Sequence, residues 1–129
     1  MGRLIVDACS AQNLSGGPYV KAWSIGVSVS RADTGMPVTH LDTKNFIITA
    51  LNARFHDFEV SKVEEFEWEP LDLVRSGMYR VSIRFAKPDE GKLLELGERY
   101  VFGIAVRTWD QNGPEDHGQT VIDLIYVDD

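Results

Sequence analysis

The residues of this chain that could carry chemistry fall into a few short constellations. Asp33-Thr34-Gly35 places a carboxylate in a small-residue setting. Acid–base chemistry from it would require a second carboxylate sharing its proton, supplied by another copy of the chain. Asp110-Gln111-Asn112-Gly113-Pro114-Glu115-Asp116-His117 presents oxygen donors at alternate positions ahead of a glycine, the donor type that surrounds a hard cation such as calcium. His117 beside Asp110 and Asp116 is also a combination that can hold a surface metal or respond to pH. His40 and His56, the other histidines, share no metal-ligand spacing with it. Cys9 is the only cysteine, which excludes an intrachain disulfide and a cysteine-based zinc site. No serine-centred elbow, glycine-rich phosphate loop or Cys/His pair is present.

Each constellation also has an architectural reading, and the flanking residues favour it. Asp33 can bond its own backbone and Gly35 can take positive φ, the chemistry of a hairpin turn. Asp110 to His117 reads as a polar loop stiffened by Gly113 and Pro114. Cys9 closes a strand begun at Leu4 and reads as a small buried hydrophobe. The expectation is a protein that is not an enzyme and carries no cofactor, calcium being the single ion with candidate donors.

These groups must be held by β-strands. Trp23, Ile25, Val27 and Val29 alternate with Ser24, Gly26, Ser28 and Ser30, the period of two of a half-buried strand. The turn at Ala32 to Gly35 and an apolar return, Pro37 to Leu41, lead to a second strand around Asn45 to Ile48. Leu4 to Ala8 predicts the first strand, followed by a loop containing Ser15 to Pro18. His56 to Glu69 predicts a long acidic strand ended by Pro70, with Val63 out of phase and a bulge near Ser61-Lys62. From Ser76-Gly77, Tyr79, Val81, Ile83 and Phe85 face inward and Arg80, Ser82 and Arg84 outward. Arg99 to Trp109 is apolar on both faces, as suits a central, doubly covered strand. Gln119 to Val127 closes the chain's strands. Leu71 to Val74 and Leu93 to Leu96 could each form a helical turn and no more, stopped by Gly77 and Gly97. The predicted fold is all-β, a two-layer antiparallel sandwich of seven to eight strands in a single domain, 1–129. Its core should hold Trp23, Ile25, Val27, Val29, Tyr79, Val81, Ile83, Phe85, Tyr100, Phe102 and Ile104.

Composition narrows the partners. At 129 residues with 43% hydrophobic content the chain can bury one good core. No apolar run reaches the roughly 20 residues that span a bilayer. The N-terminus lacks the features of a secretory signal, and Val6 stands where a myristoylation signal wants Ser or Thr, so a soluble chain is expected. A net charge of −7 argues against nucleic acid and against an anionic membrane as partners. The acidic run Glu59, Glu64, Glu65, Glu67 and Glu69 should be answered across the sheet by Arg80 and Arg84 rather than by a basic partner. A protein partner or self-association remains, and the expected contact surface is the loop from Asp110 through Asn112, Glu115 and Asp116 to His117, flanked by Trp109.

The order of "SIGVSVSRADTGMPVTHLDTKNF", "RSGMYRVSIRF", "LGERYVFGIAVRT" and "HGQTVIDLIYV" over residues 20–127 resembles the immunoglobulin-like domains of bacterial surface and secreted proteins, the invasin type. Gly77-Met78-Tyr79 and Gly97-Glu98-Arg99-Tyr100 are similar to strand openings in that family. The resemblance implies an interaction or spacer module, and it brings no catalytic residues. "LIVDACSAQNLSGGPYVKAW" and "IAVRTWDQNGPEDHGQTVIDL" also resemble the calcium- and phospholipid-binding β-sandwich of protein kinase C and synaptotagmin, which would imply calcium-dependent membrane binding. Gly17 and Asn112 stand where that family has acids. Asp33-Thr34-Gly35 is similar to the signature of aspartic proteases, whose short forms act as dimers. Here Ser30-Arg31-Ala32 replaces their apolar strand and Met36-Pro37 follows the glycine.

Overall fold

The computed structural model describes residues 2–13, 22–51, 58–68, 74–85, 99–110 and 113–125. They form strands β1 (Gly2–Asn13), β2 (Ala22–Arg31), β3 (Phe46–Ala50), β4 (Phe58–Trp68), β5 (Val74–Phe85), β6 (Arg99–Asp110) and β7 (Gly113–Ile125). A single 3-10 turn, Thr43–Asn45, precedes β3 and is capped by the Asp42 carboxylate. Among the described residues no helix is long and apolar enough to cross a membrane. The loop expected at Ser15 to Pro18 and the possible turn at Leu93 to Leu96 lie outside the described residues, as does Leu71 to Leu73, whereas Val74 belongs to β5.

The strands make a mixed sheet in the order β3-β6-β7-β1-β2-β5-β4, curled nearly into a barrel. Every pairing is antiparallel except β1 with β7, which run parallel through Gly2–Asp116 and Arg3–His117. Curling brings strands that are distant in the sheet face to face. The Trp23 ring of β2 lies 5.6 Å from Phe102 of β6, Phe58 of β4 lies 4.9 Å from Phe102, and Phe46 of β3 lies 5.5 Å from Tyr79 of β5. The tilted and edge-on geometries suit the ring quadrupoles, and each such pair adds about 0.5–1.5 kcal/mol beyond its buried area.

The core contains Trp23, Ile25, Val27, Val29, Tyr79, Val81, Ile83, Phe102 and Ile104, as the alternation requires. The side chains of Phe85 and Tyr100 lie outside what the structure describes. Leu4, Val6, Phe46, Val106 and Ile122 join the core from the flanking strands. In β4 the predicted irregularity falls between Val60 and Lys62, and a second shift follows between Glu65 and Glu67. The first returns Val63 toward the core, and Phe66 is then exposed. The return after the turn is less strand-like than expected. It makes one bridge, Ser30 to Pro37, and a backbone bond from Val38 N–H to Val29 O at 2.9 Å.

Two close approaches need glycine. A Cβ on Gly118 would sit 2.4 Å from the Leu4 carbonyl oxygen, where β1 passes β7. At Gly77, φ is +70° and a Cβ would lie 2.7 Å from that of Pro37. Because the Gly118 obstacle is backbone, Gly118→Ala must push β1 off β7. Urea unfolding should show a loss of about 1–3 kcal/mol, the usual range for overpacking. An unchanged midpoint would mean that β1 and β7 are not in this contact.

Candidate functional site

The end of the barrel formed by β6 and β7 differs from the polar loop expected there. Pairing continues to Asp110–Gly113, so Gly113 to His117 are strand residues and only positions 111–112 connect the two. Gly113 pairs with Asp110, so Asn112-Gly113 straddles the end of the connection rather than forming its two central residues. Asn112 and the side chains of Asp110 and Glu115 lie outside what the structure describes. Trp109 and His117 are exposed.

Asp116 is a correction. It is 4% exposed and ion-paired with Arg31 Nη1, its backbone N–H donating to Thr108 Oγ1 at 3.1 Å. The pair ties this carboxylate to the parallel β1–β7 seam, where an exposed loop position was expected. Its position has a simple cause: Asp116 shares the inward parity of Ile122 along β7, opposite Thr108 of β6.

Asp33, Thr34 and Gly35 form the hairpin turn, with all three exposed. Gly35 has φ +72°, its N–H donates to Arg31 O at 2.8 Å, and the Met36 N–H donates to Thr34 Oγ1 at 3.2 Å. Cys9 is exposed, against the expectation of burial. In β1 the even positions Leu4 and Val6 face the core, which leaves Cys9 on the outer side. His40 and His117 stay apart, and His56 lies outside the described residues. Among the described residues no three His, Cys, Asp or Glu side chains converge as a metal site would require.

Sequence reasoning missed a clamp over the 38–41 segment. The Glu65 carboxylate accepts from the backbone N–H of His40 at 2.9 Å and of Gly77 at 3.1 Å. Both of these residues are left-handed, at φ 62° and 70°. The Tyr79 hydroxyl donates to Val38 O at 2.6 Å and accepts from the Leu41 N–H at 3.3 Å. The carboxylate therefore holds two unusual backbone conformations at once, which is architecture rather than catalysis.

The acidic strand is answered within the sheet. Arg84 Nε meets Glu59 Oε1 at 2.6 Å, and Glu64 faces Arg80 in the β4–β5 register. Lys62 Nζ, 2.7 Å from Glu64, hydrogen-bonds that carboxyl and, with its charge, holds it below the usual glutamate range, helped by the charge of Arg80. The Arg80 guanidinium also lies over the Phe66 ring, 5.8 Å from its centroid.

Two outward faces remain. On β2, Ser24, Gly26 and Ser28 floor a groove of about 380 Å³ walled by Cys9, Phe66 and Met78. On the other side, Gly103 and Ala105 of β6 floor an open trough of about 450 Å³ between Thr49 and Leu51 of β3 and Gln119 and Val121 of β7. Leu51 is 53% exposed, Val121 57% and Ile47 44%. Among the described residues none that lines this trough is charged. Strand alternation puts Trp109 on the same side of β6, about 13 Å beyond Ala105 at 3.3 Å per residue.

No family model, curated protein or solved structure matches the chain.

Two measurements check the electrostatics. Arg31→Met leaves the Asp116 carboxylate buried without its cation. It should cost about 2–4 kcal/mol in urea unfolding, somewhat below the range for wholly buried pairs because water reaches Arg31. A carboxyl-carbon NMR titration should place Glu64 below ordinary glutamates and return it toward them in Lys62→Met. The folded-state shift is downward, so the stability it adds is present above the unfolded-state pKa and disappears as pH falls through the folded one.

Proposed function

We propose that the chain is a non-enzymatic protein-interaction or structural module of the immunoglobulin-like sandwich type, docking protein through the outer face of β3, β6 and β7. The carrying observation is that face: Ile47, Leu51 and Val121 stand exposed around an uncharged trough. Single exposed hydrophobes are ordinary on a protein surface, but a contiguous set marks a contact surface. Trp109 extends the face toward the β6–β7 hairpin, so the contact region moves from the hairpin's acids to the sheet beside it.

The topology supports the immunoglobulin-like part of the reading. Named A to G in chain order, the strands run D-E-B-A on one side and G-F-C on the other, the arrangement of that fold's two sheets. The parallel contact of β1 with β7 joins the two sets. The invasin-type resemblance of the strand openings agrees with this order, and such modules serve as contacts or spacers. The calcium-dependent alternative loses a donor in Asp116, which is engaged with Arg31. The protease alternative rests on Asp33, which sits on an exposed turn.

A face kept for binding is dispensable for folding. At concentrations low enough that copies of the chain do not associate, Leu51→Glu with Val121→Glu should stay within about 1 kcal/mol of the parent in urea unfolding, since exposed positions move stability little. Binding of a dye that reports exposed apolar surface should fall at the same time. A loss of several kcal/mol would assign the face to the folding core and end this reading. Melts in excess calcium and in chelator should coincide; a rise of several degrees with calcium would promote the ion-binding alternative, because a ligand of the native state raises its melting temperature.

A further inference from the structure

We infer that the face of β3, β6 and β7 is covered by the same face of a second copy of this chain, in a twofold dimer; this rests on reading the face as a contact surface. Shape is the first argument. A twofold interface must carry its knob and its hole on one patch, because each copy presents the same residues to the other. Here the ridge of Val121 and Gln119 on β7 stands directly beside the trough floored by Gly103 and Ala105 on β6. The register makes the match specific, since Val121 pairs opposite Gly103 and Gln119 opposite Ala105.

Consider a twofold axis parallel to the strands, lying above the sheet and between β6 and β7. It preserves position along the strand and exchanges the two neighbours, so β7 of each copy lies over β6 of the other. Val121 of one copy is thereby lowered onto Gly103 of its partner, and the reverse contact forms at once. Strands about 4.8 Å apart and packed sheets about 10 Å apart accommodate that one-strand offset, in the aligned packing of two sheets.

Charge is the second argument. Copies of a chain with net charge −7 repel one another over most of their surface. The described lining of the trough is uncharged, and the outward charges beyond its ends on the same face are one of each sign, Arg107 on β6 and Asp123 on β7, so this face carries less of the repulsion than the rest of the surface. The strand itself is the third. β6 alternates Phe102, Ile104 and Val106 inward with Val101, Gly103 and Ala105 outward, the composition of a strand covered on both faces. Among the described residues, only its inner face is covered.

The test uses the full chain with Cys9→Ser, so that the native thiol cannot link copies. Light scattering across a concentration series should show a dimer. Val121→Glu should raise the dissociation constant at least tenfold. Gly103→Val should do the same by filling the trough, and its fold should survive: a Cβ there meets only Leu51 and Thr49 atoms at 3.8–3.9 Å. Val121→Cys should be joined between the two copies by a short bifunctional maleimide, whose spacer bridges the gap between packed sheets that a direct disulfide cannot; this result does not depend on the other variants. A parent that stays monomeric at millimolar concentration, while Val121→Glu still lowers dye binding, overturns the second copy and leaves the face to a different protein. A dimer indifferent to Val121→Glu and Gly103→Val, and not linked through Val121→Cys, overturns both this inference and the choice of face.

Discussion

The fold depends on β1 belonging to both sides of the barrel. It pairs with β2 along most of its length but with β7 through only Gly2–Asp116 and Arg3–His117. That short parallel seam joins the β3-β6-β7 side to the β2-β5-β4 side. Two things hold it: the absence of a side chain at Gly118, which lets the Leu4 backbone come close, and the Arg31–Asp116 pair. Gly2 lies against the same carboxylate, where even a Cβ would collide with Asp116 Oδ1. Burying a carboxylate is costly unless a cation answers it, and a broken buried pair is worse than none. The pair therefore acts mainly on register. A slip of β1 by one residue would strand Asp116 without Arg31 and turn Leu4 and Val6 to solvent.

Once the seam is fixed, the aromatic contacts follow. Trp23, Phe58 and Phe102 come from β2, β4 and β6, strands that never pair, and they meet only because the sheet is curled. Phe46 and Tyr79 repeat the contact nearer the clamp, where the Tyr79 hydroxyl also ties down Val38 and Leu41. One residue thus joins core packing to loop placement. The Glu65 carboxylate completes the tie by holding His40 and Gly77 in the left-handed region, where His40 would otherwise relax.

How much of this was legible in the sequence follows the range of the forces involved. Strand interiors were readable because alternation is local: Trp23 to Val29 and Tyr79 to Ile83 are buried as their period requires. The bulge at Ser61 was readable from the phase of Val63. Asp116 was not: it shares the inward parity of Ile122, but a carboxylate can occupy such a position only with Arg31, 85 residues away in the chain, to answer it. A polar string such as Asp110 to His117 invites a loop reading, yet outward-facing strand residues can be as polar as a loop, and pairing here runs on to Asp110–Gly113. Cys9 shows the converse error, where the residue's average preference for burial yields to the parity of its strand.

The proposed contact face was half legible. Arg99 to Trp109 reads as apolar on both sides, which predicts a covered strand but cannot say what does the covering. Sequence also cannot show that Ile47, Leu51 and Val121, on three separate stretches of chain, gather around Gly103 and Ala105; only the pairing of β3 and β7 with β6 does that. The opposite outer face makes an instructive contrast. There Arg80, Arg84, Glu59, Glu64 and Lys62 answer one another across β4 and β5, as a solvent-facing sheet should. A chain that spends paired charges on one outer face and leaves the centre of the other uncharged, with Arg107 and Asp123 only at its ends, distinguishes the two chemically. Charged side chains would stay hydrated and hold a partner off, whereas aliphatic ridges around a glycine floor gain by losing their water. That asymmetry is what the proposed contact surface rests on.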